Sequence, residues 1–102
     1  MDAPITLAVD RYVVETLMPD LVGHDRKPSA FLVYLVILGA AAEGRVALSH
    51  GQLAERTGLS RRSVQTAVAL LRRRQLIEVS RRSATDTSEY RPLSPWRRQR
   101  AW

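Results

Sequence analysis

The sequence predicts a mostly α-helical domain carrying a small β-hairpin. Three observations predict it. A long apolar stretch at 31–42 lies between Pro28, which suits a first helical turn, and Gly44, which suits a helix end. Two short capped segments meet at Gly58. Two β-rich runs flank the polar, turn-rich stretch 83–88. A chain of 102 residues has room for one domain, and 45% hydrophobic with 25% charged residues is an ordinary globular balance.

The first element expected is a short helix capped by Asp10 and running to Met18, with Val13, Val14, Leu17 and Met18 on an apolar face. Pro19 and Gly23 should stop it, and 24–28 reads as a polar connector. The second helix should run from about Pro28 to Glu43. Its interior is apolar all round and rich in β-branched residues, but sixteen residues favour a buried helix over a strand. Gly39 and Ala40–Ala42 leave room for another helix to approach. Arg45–Leu48 reads as a short strand.

Ser49 followed by Gln52 is a capping box, opening a helix at about 50–57 that buries Leu53 and Ala54. Gly58 ends it and Ser60 caps the next, from Arg61 to about Arg74 or Gln75. In that helix Val64, Ala67, Val68 and Leu71 share one face. Arg62, Thr66, Ala69 and Arg73 lie opposite, flanked by Arg61, Gln65 and Arg72. Strands are expected at 76–82 and 89–93, with Pro92 restricted to an edge or a strand end and Tyr90 packing the hairpin on the body. The division expected is an N-terminal helical extension at 1–27, available for dimerisation, a main domain at 28–93, and a Trp/Arg tail at 94–102. Trp96 and Trp102 make that tail costly to leave in water, so it should dock on the domain, a second subunit or a partner.

Charge narrows the functional classes. Sixteen basic residues stand against ten acidic ones, and only Lys27 is not arginine. Residues 1–51 carry four basic and six acidic side chains, net −2, while residues 52–102 carry twelve and four, net +8. Codon bias accounts for arginine over lysine but not for the missing acids in the second half. Such one-sided excess is the footprint of an anionic partner, nucleic acid or membrane surface. The acidic bias of the first half is expected to keep that end away from phosphates. No basic amphipathic helix with bulky apolar anchors supports the membrane surface, and the apolar stretch is shorter than the roughly 20 residues a bilayer requires. With no cysteine, no basic region ahead of an apolar N-terminus, and His24 and His50 far apart without carboxylates at ligand spacing, the expectations are no metal, no cofactor, no signal peptide and a cytoplasmic, nucleoid-associated protein. No nucleophile–base cluster or phosphate-binding glycine loop marks an enzyme.

Two helices joined by a tight turn and followed by a hairpin form the layout of a winged helix-turn-helix. The run Gln52-Leu-Ala-Glu-Arg-Thr-Gly-Leu-Ser-Arg-Arg-Ser-Val64 resembles the motif of bacterial winged-helix regulators such as the MarR and GntR families. In that motif a small residue where Ala54 stands lets the helices cross, a glycine where Gly58 stands makes the turn, and apolar residues at Leu59, Val64 and Val68 wedge the second helix in place. Ala69–Val79 resembles the run that ends the recognition helix and enters the wing. The resemblance covers about 45–93 and less closely 28–43. Members of the first family carry long dimerisation helices on both sides and members of the second a C-terminal effector domain; neither C-terminal part is expected after residue 102.

The resemblance implies sequence-specific binding of double-stranded DNA, with the recognition helix at 61–75 in the major groove and the wing at 80–90 on the backbone or minor groove. The residues support it independently, because the first turns of such a helix reach base edges. Arg61 and Arg62 suit guanine, Gln65 suits adenine, and the Thr66 methyl suits that of thymine; these four are the expected base readers. Ser49, His50, Ser60, Arg72, Arg73, Arg81 and Arg82 are expected at the backbone or on the wing, giving affinity with little sequence information. The serines are also helix caps, and cations near a helix C-terminus, Arg72, Arg73 and above all Arg74, also answer its dipole. A small transcriptional regulator acting as a homodimer, with no small-molecule effector, is the leading expectation. The alternatives are a phage or plasmid replication or partition initiator domain and a winged-helix protein-interaction module. RNA binding lacks exposed stacking aromatics.

Overall fold

The computed structural model describes residues 5–41, 44–81 and 87–97. The fold is mostly helical with a small three-stranded antiparallel sheet, the architecture of a winged helix-turn-helix. Helix α1 spans Pro28–Ala40, strand β1 Val46–Ser49, α2 His50–Thr57, α3 Arg61–Arg73, β2 Ile77–Arg81 and β3 Thr87–Pro92.

The segment before α1 departs from the expected short helix. It winds through two wide π turns, Val13–Leu17 and Asp20–His24, with no break at Pro19 or Gly23. Pro19 stands where the second wide turn begins, and the helical backbone runs through it despite the N–H it lacks. Continuation brings Val13, Leu17 and Leu21 to one side, where all three are buried in the same core as α1 and α3. Asp10 does not cap this segment with its side chain. Its carbonyl accepts from Val13 N–H at 2.9 Å, while its carboxylate reaches the chain's other end.

The buried side of α1, formed by Ala30, Phe31, Val33, Tyr34 and Ile37, packs on α3 through Val64, Ala67, Val68 and Leu71. Gly39 meets Leu7, not another helix: an added Cβ there would lie 3.3 Å from the Leu7 side chain. Tyr34 donates its hydroxyl to the Leu93 carbonyl at 3.0 Å, fixing the chain after β3 to α1.

The sheet has three strands where a two-stranded hairpin was expected, in the order β1-β3-β2. Val46 pairs with Tyr90, and Val79 pairs with Tyr90 on the other flank. Tyr90 is thus on the central strand and fully buried. Pro92 ends that strand opposite Ile77, beyond the last pair with β1, so its missing donor breaks no second ladder. On the outer face Glu78 pairs with Arg91 at 2.8 Å and Glu89 with Arg45 at 3.7 Å, leaving that face charge-balanced.

After β3 the chain turns at Pro95–Arg97 and docks on its own domain. Trp96 stacks on Tyr12 with ring centroids 4.5 Å apart and donates its indole N–H to Asp10 at 2.7 Å. Arg97 grips the same carboxylate with two bonds of 2.6 Å. Together they hold the Asp10 carboxyl down at about 2. Trp102 lies outside the described residues.

Candidate nucleic-acid interface

The turn between α2 and α3 is built from local hydrogen bonds. Ser49 Oγ accepts from Gln52 N–H at 3.1 Å and Gln52 Oε1 accepts from Ser49 N–H at 2.9 Å, completing the capping box. Gly58 adopts φ 81°, a left-handed conformation that a side chain would strain. Thr57 braces the turn, donating to the Leu53 carbonyl at 2.7 Å and accepting from Leu59 N–H at 3.2 Å. Ser60 Oγ caps α3 by accepting from Ser63 N–H at 3.1 Å. Its hydroxyl also lies 3.1 Å from Ser63 Oγ.

These caps set where α3 begins, and its apolar spacing sets the rotation. Val64, Ala67 and Leu71 are fully buried and Val68 nearly so, whereas Arg61, Arg62, Gln65, Thr66, Ala69, Arg72 and Arg73 are exposed. At about 100° per residue the exposed seven cover an arc of about 140°, opposite the buried four. Ala69 and Gln65 lie near its middle, Arg61 and Arg72 at one margin, and Arg73 and Thr66 at the other. The Thr66 hydroxyl donates to the Arg62 carbonyl at 3.1 Å.

One margin of the arc continues into a groove between α3 and the sheet. His50 from α2, Gln65 and Arg72 from α3, and Val79 and Ser88 from the strands line it. Arg81 ends β2 opposite Ser88. The Arg81 side chain and residues 82–86, Arg82 among them, lie outside what the structure describes.

The four arginines on the arc have no carboxylate partner among the described residues. Arg45, Arg74, Arg91 and Arg97 do. Arg74 is a clamp: it bonds Asp20 at 2.6 Å and also Asp25, joining the end of α3 to the segment ahead of α1. The hydrogen bond it donates to Asp20 outweighs the cost of burial and raises its pKa. His24 beside Asp25, followed by the Arg74 charge, pulls the Asp25 carboxyl below its usual range. Contrary to the reading from spacing, His24 does join a carboxylate pair, since ligand atoms of Asp20, His24 and Asp25 lie within 4.8 Å of one another. Arg74 already bonds both carboxylates, so the cluster is answered from within the fold.

Two features escaped the sequence reading. The acids that answer Arg74 and Arg97 sit 49 to 87 residues away, beyond any local pattern. Gly51 was legible in principle. It is the second residue of α2, its backbone needs no left-handed conformation, and an added Cβ would lie 2.7 Å from Arg61 Nη2. A glycine inside a helix without a backbone reason marks a place where something else uses the space.

A short capped helix, a glycine turn, a second helix with an exposed arginine arc and an adjoining sheet define a helix-turn-helix domain. A family model described as a helix-turn-helix domain matches residues 27–77, half of the chain, and the chain belongs to that family. No curated protein and no solved structure matches it. Among the described residues no helix is long and apolar enough to cross a membrane.

Proposed function

We propose that this protein binds double-stranded DNA sequence-specifically as a small transcriptional regulator of the MarR/GntR-like winged-helix kind. The observation that carries the reading is the arc of α3, where Arg61, Arg62, Arg72 and Arg73 stand exposed with no carboxylate partner among the described residues. Guanidinium groups left without intramolecular partners on a rigid helix suit a ligand that brings its own negative charge. In this reading α3 enters the major groove with Arg62, Gln65 and Thr66 toward base edges. Ser49, His50, Ser60, Arg72 and Arg73 hold the flanking backbone, and Arg81 and Arg82 carry the wing to the backbone or minor groove. Residues 28–93 are the binding unit and 1–27 an N-terminal extension that serves dimerisation. The protein works at the nucleoid, without a small-molecule effector.

Binding as a homodimer to half-sites about 34–36 Å apart completes the proposal. Leu32 on α1 and Val14 and Val22 ahead of it, 42%, 50% and 39% exposed, are apolar surface that a second copy would cover. Sedimentation at micromolar concentration checks this, and a clean 11.5 kDa species removes the dimer.

Selection of bound duplexes from a random pool tests the whole reading. The expected result is an enriched motif with two-fold symmetry, bound with an affinity that falls linearly on a log–log plot against salt. Arg62→Ala should flatten the preference at one position of each half-site, by roughly 1–3 kcal/mol of discrimination. No enrichment, or affinity unchanged between about 50 and 200 mM salt, overturns it.

A further inference from the structure

We infer that Arg61 does not read bases but grips a DNA phosphate beside the first turn of α2, and that Gly51 is the residue that lets it lie there. This rests on the DNA-binding reading above and revises the role the sequence assigns to Arg61. A Cβ built on Gly51 would lie 2.7 Å from Nη2, 3.3 Å from Cζ and 3.4 Å from Nε of Arg61. Three guanidinium atoms so close to one point mean that the group lies against the α2 backbone. It does not project along the axis of the exposed arc. Arg61 is also at the margin of that arc, on the side of Gln65 and Arg72, which line the groove with His50 of α2. Arg62 stands about 100° further round, nearer the middle of the arc.

The glycine has no other evident use. Gly44 and Gly58 take positive φ, but Gly51 does not. Glycine there costs helix stability relative to alanine. Space for the guanidinium is what it provides in return. Among the described residues no carboxylate holds Arg61 in this place, so its charge stays available to an external anion. A phosphate presents the charge-assisted acceptors that a guanidinium takes up in pairs. Backbone contacts of this kind set register and affinity without carrying sequence.

The test compares wild type, Arg61→Ala, Gly51→Ala and the double variant on the selected duplex and on single-base variants of it. Arg61→Ala should weaken every duplex by the same factor and leave the order of preference unchanged. One phosphate contact contributes a salt slope of about 0.9, so the ratio of wild-type to variant affinity should shrink about 3.5-fold between 50 and 200 mM salt. Gly51→Ala displaces only the far end of a flexible side chain, so the fold should persist by circular dichroism while binding shows the same uniform, salt-dependent loss. The double variant should bind no worse than Arg61→Ala alone, because both changes remove one contact. A changed base preference in Arg61→Ala overturns the inference while leaving DNA binding intact. Losses that add in the double variant, or Gly51→Ala binding like wild type, overturn the part given to Gly51. Wild-type protein that binds no duplex removes the DNA-binding reading itself and this role with it.

Discussion

Leu21→Ala measures whether the N-terminal extension is part of the binding domain or an appendage to it. Leu21 is fully buried in the core shared by the wide turns, α1 and α3. Truncation removes three carbons, worth about 2.4 kcal/mol at ~0.8 kcal/mol per buried methylene. The cavity left behind adds to this, and about 3 kcal/mol is a fair centre of the observed range of 2–5 kcal/mol. For a domain of this size that lowers Tm by roughly 12–24 °C. Urea unfolding followed by circular dichroism and by tryptophan fluorescence is the assay. If the extension belongs to the core, both probes should shift together in one cooperative transition with an unchanged slope. Val14→Ala is the control: Val14 is in the same segment but half exposed, and it should move stability by less than about 0.5 kcal/mol. Should Leu21→Ala behave like Val14→Ala, or split the unfolding curve in two, the extension is not cooperative with α3 and the core described above is wrong.

Arg74→Ala should cost about 1–2 kcal/mol, between exposed and buried ion pairs, because the side chain is one-third exposed yet bonded to Asp20 and Asp25. Chemical denaturation checks it, and the loss should be absent when Asp20 and Asp25 are already asparagine. Acid stability is a second measurement. Asp10 has its pKa lowered from 3.8 to about 2, and Asp25 is lowered in the same direction. Their contribution is fully present above the ordinary carboxylate value and is lost as pH falls through the lowered folded values. Stability should therefore be insensitive to these groups above about pH 5 and decline below about pH 4. Asp10→Asn should reduce the steepness of that decline, and a titration identical to wild type would refute the role given to Arg97 and Trp96.

The helix-turn-helix was legible because its signals are local. Ser49 with Gln52, Gly58 with its left-handed turn, and Ser60 each act within four residues, and the spacing of Val64, Ala67, Val68 and Leu71 fixes which way α3 faces. Elements set by distant partners were harder to read. The strand at Val46–Ser49 was expected alone, yet it borders β3, some forty residues on, and makes the sheet three-stranded. Pro19 carries a strong local stop signal that burial of Leu21 overrides, with a wide turn accommodating the missing donor. In the interface, composition and periodicity located the exposed residues of α3 but could not separate Arg61 from Arg62. That distinction depends on Gly51, which belongs to another helix.

The uneven charge of the chain now has a geometric account. Of the acids of the first half, Asp10, Asp20 and Asp25 each hold an arginine of the second half. On the outer face of the sheet Glu78 pairs with Arg91 and Glu89 with Arg45, the latter an arginine of the first half. Once these pairs are formed, the arginines of the α3 arc remain without a described carboxylate. Burial alone would not produce this division, since arginines of both groups are solvent-accessible. Placement of carboxylates does. Arg74 belongs to the same basic run as Arg72 and Arg73 but lies just past the last residue of α3, where two aspartates reach it; its neighbours are on the exposed arc, where none does. A run of three arginines that composition treats as one feature is therefore split by the fold into a clamp and two residues of the proposed DNA-facing surface.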